Sequence, residues 1–165
     1  SDNMAICTHE IASISERRIN QVLDPQWSGQ KAFLANDEGL ESGLMIVQYV
    51  AAAVIAELSL LSNPVSTTNV PVSMGKEDHV SMGATGAYRT FKASKLLSSV
   101  ISSELICSCQ ALDNIPENAS DSVRKIHNWL RGYVSKIEGD RSTTEDTEII
   151  AEKILTSEFI DIFGE

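Results

Sequence analysis

The chain has 165 residues, 42% hydrophobic and 22% charged, and its 23 acidic and 13 basic side chains give a formal net charge of −10. That composition fits one globular domain able to bury roughly two-thirds of its unfolded surface, and it excludes a disordered chain. No Lys/Arg-rich stripe interrupts the acidic balance, which excludes duplex nucleic acid and anionic lipid as partners, since both require clustered cations.

The predicted elements, in chain order, are all helical. A first helix runs over 5–22 and stops before Pro25, because the residue preceding proline is biased out of the helical region. A loop over 24–43, rich in Gly, Asn and Asp, carries Trp27, Phe33 and Leu34 as apolar anchors. The second helix spans 43–62 and ends at Asn63-Pro64. Its stretch from Leu44 to Leu61 holds a single formal charge, Glu57, but it also holds Gln48, Ser59 and an interior Tyr49, without flanking Lys/Arg. It therefore reads as a buried core helix rather than a membrane span. A polar loop over 65–75 follows, then the longest helical candidate, 76–112, with Val80, Ala84, Ala87, Phe91, Leu97, Val100, Ile101, Leu105 and Ala111 at helical spacing.

Pro116 and the polar run after it break the chain. Val123, Ile126, Leu130, Tyr133, Val134 and Ile137 define the clearest amphipathic helix. A last helical region begins between Ser142 and Asp146, where Thr143 and Asp146 have capping-box spacing. Ile149, Ile150, Ile154, Leu155, Phe159, Ile160 and Phe163 form its stripe. No Asn-Gly or Asp-Gly turn joins alternating runs, so no hairpin is expected. The reading is an all-α bundle of long antiparallel helices forming a single domain over 1–165, with a core over 5–115 and C-terminal amphipathic helices over 116–165.

Cys7, Cys107 and Cys109 are odd in number and contain no Cys-x-x-Cys, which points to reduced, mostly buried thiols of a cytoplasmic protein. No basic segment followed by an apolar signal region opens the chain. His9 and His127 lack partners at metal-ligand spacing, and no metal site is expected.

Four motifs carry more information than the periodicity. Val72-Ser73-Met74-Gly75-Lys76-Glu77-Asp78-His79-Val80-Ser81-Met82-Gly83 contains Glu-Asp-His-Val-Ser-Met-Gly. Upstream lie Glu38-Gly39-Leu40-Glu41-Ser42-Gly43-Leu44-Met45-Ile46-Val47-Gln48-Tyr49 and Ser15-Glu16-Arg17-Arg18, and downstream lies Gln110-Ala111-Leu112-Asp113. In order and spacing these segments resemble the C-terminal portion of histidine ammonia-lyases, members of the aromatic amino acid lyase family, most clearly over 5–115.

The resemblance implies a largely helical fold built into tetramers, and elimination of ammonia from histidine to give urocanate. It also implies an electrophilic prosthetic group, 4-methylideneimidazol-5-one, formed from an Ala-Ser-Gly tripeptide. That tripeptide is absent here, and Ala84-Thr85-Gly86 is the nearest string. The family's catalytic tyrosine and carboxylate-binding arginine likewise come from segments upstream of this chain. Two positions match substrate-pocket residues: Glu77, catalytic and substrate-binding, near the substrate side chain and amine, and Met45, substrate-binding, against the ring. Phenylalanine-specific relatives typically present lysine and glutamine there, so Met45 with Glu77 resembles the histidine-specific version. A carboxylate can accept from an imidazole N–H or stabilise a protonated ring, and a thioether offers polarizable contact to it.

Position alone supports plainer readings. Glu77 and Asp78 near a helix start suit the helix dipole, and Met45 early in an apolar helix suits a core. His79 reads as structural, Arg17 and Arg18 as solvated or intersubunit ion pairs, and Trp129 as packing for the last helices. Glu41 and Lys76 depart from the family's usual asparagine and glutamine, and could pair across the site. The leading expectation is a C-terminal lyase portion, inactive alone, with histidine as substrate and a homo-oligomer or an N-terminal lyase portion as partner. The alternative is a non-catalytic helical oligomerisation scaffold descended from a lyase.

Overall fold

The computed structural model describes residues 1–162, apart from the side chain of Asn118; Phe163 of the predicted stripe lies outside the described residues. The core is three long helices: α1 (Asp2–Leu23), α3 (Met45–Leu61) and α4 (Gly83–Leu112), with the short α2 (Pro25–Ser28) after α1. Along α1, Ala5, Thr8, Ala12, Ser15, Ile19 and Leu23 are buried at intervals of three and four, which gives one continuous stripe. Val100, Ile106 and Cys107 of α4 and Val47, Ala51 and Leu58 of α3 join the same core. Burial of each larger aliphatic side chain contributes about 1.5–3 kcal/mol.

Cross-helix bonds give the directions. Gln48 near the start of α3 donates to Glu16 and Asn20 near the end of α1, while the Ser66 amide beyond α3 reaches Asp2. Arg89 of α4 donates to the carbonyl of Leu60 at the end of α3. Successive long helices are therefore antiparallel. α1 and α4, separated by α3 in the chain, run alongside each other in one direction, as the Thr90–Ser1 and Arg18–Glu104 bonds show.

Three predicted elements differ from the structure. α4 begins at Gly83, not near Lys76, because residues 72–80 make competing bonds. The amide and carbonyl of Val72 pair with those of Glu77, and the Asn69 side chain clamps both backbone groups of Val80, at 2.6 and 3.2 Å. α5 (Asp121–Arg131) stops at Gly132 rather than continuing to Ile137. There the Gln110 side chain, itself buried, donates to the Ile137 carbonyl (2.8 Å) and accepts from its amide (3.0 Å). That clamp draws Val134 and Ile137 into the core without a helix. α6 (Thr144–Ile154) lacks the expected capping box, because Thr143 makes no side-chain cap and Asp146 pairs with Arg141 instead. A last short helix, α7 (Ser157–Asp161), follows.

α3 is also less buried than its composition implied. One face carries Val47, Ala51 and Leu58, whereas Ile46 (57% exposed), Tyr49 (66%) and Leu60 (69%) face outward. No described helix is long and apolar enough to cross a membrane. Trp129 behaves as expected: its ring packs against Tyr133 and Phe159, at centroid separations of 5.7 and 5.1 Å, and its indole N–H donates to Glu158. Among the described residues there is no strand beyond isolated bridges at Glu38–Glu41 and Val72–Glu77.

Candidate functional site

Met45 is the first residue of α3, and the loop leading to it is held by carboxylates. Glu38 accepts the Ala32 amide, and Glu41 accepts those of Asn36 (2.9 Å) and Asp37 (3.3 Å). Asp140 accepts from Ser42 and Gly43, both at 2.9 Å. Phe33 and Leu34 adopt left-handed backbone, with φ of 54° and 56°, so that the Phe33 carbonyl turns to accept the Leu44 amide at 2.9 Å. Gly43 is required beside it: its φ is +55°, and a Cβ would lie 2.5 Å from that carbonyl oxygen. Such local strain is characteristic of segments that present functional groups.

The half-buried Met45 side chain lies between two open clefts of about 290 Å³ each. Glu16, Arg17, Phe33, Gln48 and Tyr49 line one; Phe33, Glu38, Leu40 and Glu41 line the other. Glu16 is only 4% exposed, and its charge is compensated by Arg17 Nε (2.6 Å) and Gln48 Nε2 (3.0 Å). A soft thioether, two aromatic rings and a paired carboxylate suit a small aromatic, polar ligand.

Glu77 sits elsewhere, on the loop between α3 and α4, with its side chain exposed. It lies six residues before α4, so the helix-dipole reading does not apply. Its backbone is fixed by the two bonds to Val72, at 2.9 and 3.3 Å, across a left-handed run of Ser73, Met74 and Gly75. Met74, at the tip, is 96% exposed. His79 is exposed as well. Neither cleft beside Met45 includes Glu77.

The remaining motifs hold the bundle together. Glu104 of α4 accepts Ser15 Oγ (2.5 Å) and Arg18 Nη2 (2.9 Å), and Arg17 pairs with its neighbour Glu16, so both arginines form ion pairs within the chain. Asp113 joins His127 (2.7 Å) and Arg131 (2.6 Å), which gives His127 a structural partner. Glu41 organises its own loop, and no pair with Lys76 forms among the described residues. Cys107 and Cys109 are buried and Cys7 is exposed. Burial pushes both interior thiols up, Cys109 to about 11. No group of three metal-ligating side chains occurs among the described residues. Ala84-Thr85-Gly86, the nearest string to the tripeptide, occupies the first turns of the regular helix α4. Asp140 went unnoticed in the sequence; a polar residue after Gly139, 97 positions from its partner Gly43, carries no local signal.

This fold defines a class, the helical ammonia-lyases and aminomutases. The chain aligns with the crystal structure of histidine ammonia-lyase from Trypanosoma cruzi at a TM-score of 0.92 and 31% identity, covering 98% of this chain and 32% of that one. It aligns with tyrosine aminomutase from Streptomyces globisporus at 0.94 and 29% identity, covering 99% of this chain and 32% of that one.

Residues 1–132 match the family model for aromatic amino acid lyases, and the chain belongs to that family. It is 38% identical over 160 residues to a histidine ammonia-lyase of Symbiobacterium thermophilum, covering 96% of this chain and 32% of the relative. With that of Geobacillus kaustophilus it shares 40% over 152 residues, covering 91% and 30%. The chain thus spans about a third of the length of the curated relatives it matches.

Proposed function

We propose that this chain is the C-terminal part of a histidine ammonia-lyase-like enzyme, which eliminates ammonia from histidine to give urocanate. The observation that carries this is the 38% identity to a histidine ammonia-lyase along 96% of the chain. In this reading Met45 packs its thioether against the substrate's ring, with Phe33 and Tyr49 walling the same cleft. Glu77 approaches the substrate side chain and amine from a cavity completed by other segments, where its carboxylate accepts a hydrogen bond or holds a proton. The electrophile comes from an Ala-Ser-Gly segment outside these residues. The isolated chain is therefore inactive, and no chemical step beyond binding and proton handling is assigned to it.

The outward-facing Ile46, Tyr49 and Leu60 of α3 and Tyr88 and Phe91 of α4 support the second half of the role, an oligomer core. The partner is a further copy of the chain or the N-terminal lyase portion, in the cytoplasm. The same apolar surface also favours a second reading, a non-catalytic helical scaffold. A pull-down with the tagged chain, followed by a urocanate absorbance assay on the eluate, tests the lyase reading. Recovery of an Ala-Ser-Gly-bearing partner with histidine-dependent urocanate formation is expected. Recovery of self-associated chain alone, without activity, would favour either an excised lyase fragment or the scaffold, and recovery of an Ala-Ser-Gly-bearing partner that forms no urocanate would overturn the lyase reading.

A further inference from the structure

α3 starts without a cap of its own. Leu44 at its N-cap offers no side-chain acceptor, and no acidic residue occupies its first turn, although a helix N-terminus favours a nearby negative charge. The two residues just before that N-cap are instead held from the far end of the chain. Asp140, in the loop between α5 and α6, places one carboxylate oxygen on the Ser42 amide and the other on the Gly43 amide, both at 2.9 Å. Two adjacent backbone N–H groups taken by a single carboxylate form a small anion-binding concavity, here filled from within the chain.

Gly43 has little freedom to find another arrangement. Its left-handed backbone is pressed against the Phe33 carbonyl, which in turn accepts the Leu44 amide. The next residue is Met45. Glu41 secures the earlier part of the loop through Asn36 and Asp37, and the stretch immediately before the helix is held by Asp140 together with the Leu44–Phe33 and Met45–Ser42 backbone bonds. Gln110 clamps the backbone of Ile137 three residues before Asp140, which ties the anchor to the core.

We propose that Asp140 is a positioning residue: its carboxylate sets the entry of α3 and thereby the placement of Met45 beside the substrate cleft. It lies beyond residues 1–132, the span of the family match. The structural half of this proposal stands on the bonds above, whereas its consequence for substrate binding rests on the lyase function proposed here.

The test has two arms. In the 165-residue chain, amide exchange is followed at Ser42 and Gly43, together with the methyl signals of isotopically labelled methionines. Asp140→Ala is expected to speed exchange at both amides by about tenfold or more, since it removes charge-assisted bonds. It should also shift the Met45 methyl, while Met4, Met74 and Met82 and the core amides of Val100 and Ile106 stay as they are. Asp140→Asn, which keeps one acceptor oxygen, should fall between, and Arg141→Ala, which leaves the carboxylate in place, should change neither readout. Unchanged exchange and an unmoved Met45 signal in Asp140→Ala would overturn the anchor.

In the second arm, the same variants are placed in the complete lyase carrying this segment. Asp140→Ala should raise KM for histidine about tenfold with kcat within about twofold, because binding geometry is lost and not the reacting groups. An unchanged KM alongside faster exchange would overturn the role in substrate binding while leaving the anchor. If the wild-type lyase forms no urocanate at all, the proposed function falls instead, and the exchange and methyl readouts still decide whether Asp140 positions Met45.

Discussion

Glu77 is positioned by backbone. The paired amides and carbonyls of Val72 and Glu77, closing a left-handed turn, hold the residue where a flexible loop would not. Glu77→Gln keeps that backbone and the side-chain shape but removes the charge. In the complete lyase, kcat is expected to fall on the order of 10²-fold, while Tm changes by only a degree or two because the side chain is exposed. Wild-type turnover in this variant would remove the assigned role. A second prediction concerns the thiols. Burial raises Cys109 from 9.0 to about 11, and Cys107 is raised for the same reason. The folded state then binds protons that the unfolded state has released. Their contribution is complete below pH 9 and is lost as pH rises from about 9 towards 11. Denaturant titrations across that window should show stability falling with pH, with a shallower slope in Cys109→Ala; an unaltered slope would refute the assignment.

At the scale of elements, the boundaries were decided by side chains that arrive from far along the chain. The apolar spacing from Val123 to Ile137 is helical, and Leu130, Val134 and Ile137 do reach the core. Yet the backbone leaves the helix at Gly132, because Gln110 takes both polar groups of Ile137. Gln110→Ala leaves a buried amide and carbonyl unpaired, at about 1–3 kcal/mol each. The expected outcome is a loss of roughly 2–4 kcal/mol in denaturant unfolding, with protection lost over 132–140 while α1 and α4 retain theirs. A loss below 0.5 kcal/mol would mean that water replaces the clamp. Likewise, periodicity carried the long helix back to residue 76, and the Asn69 clamp on Val80 ended it at Gly83. The Thr143–Asp146 spacing was correct for a capping box, but Arg141 engages the carboxylate first. The Gln-Ala-Leu-Asp and Ser-Glu-Arg-Arg motifs were legible as family marks; that they serve as clamps between segments was not. The side-chain partners of Gln110 and Asp113 lie 14 to 27 residues away, and that of Ser15 and Arg18 lies 86 to 89 away, which leaves no local pattern.

For the whole molecule, the unpaired outer face of α3 and α4 is the main physical fact. Ile46, Tyr49, Leu60, Tyr88 and Phe91 are all well exposed, and a surface of that kind drives association. The isolated chain is expected to sediment as an oligomer at micromolar concentration, and Leu60→Glu combined with Tyr88→Glu to shift it towards monomer with little change in helicity. A monomeric wild-type chain would refute that. The sequence by itself determined the all-helical class, the three-helix core, the family and the candidacy of Met45 and Glu77, because periodicity and contiguous motifs are local properties. Only the tertiary structure decided that α3 has an uncovered face, that neither cleft beside Met45 includes Glu77, and that Asp140 bonds the two amides before α3. Those depend on which distant groups meet, and that is set by packing and hydrogen-bond competition rather than by spacing along the chain.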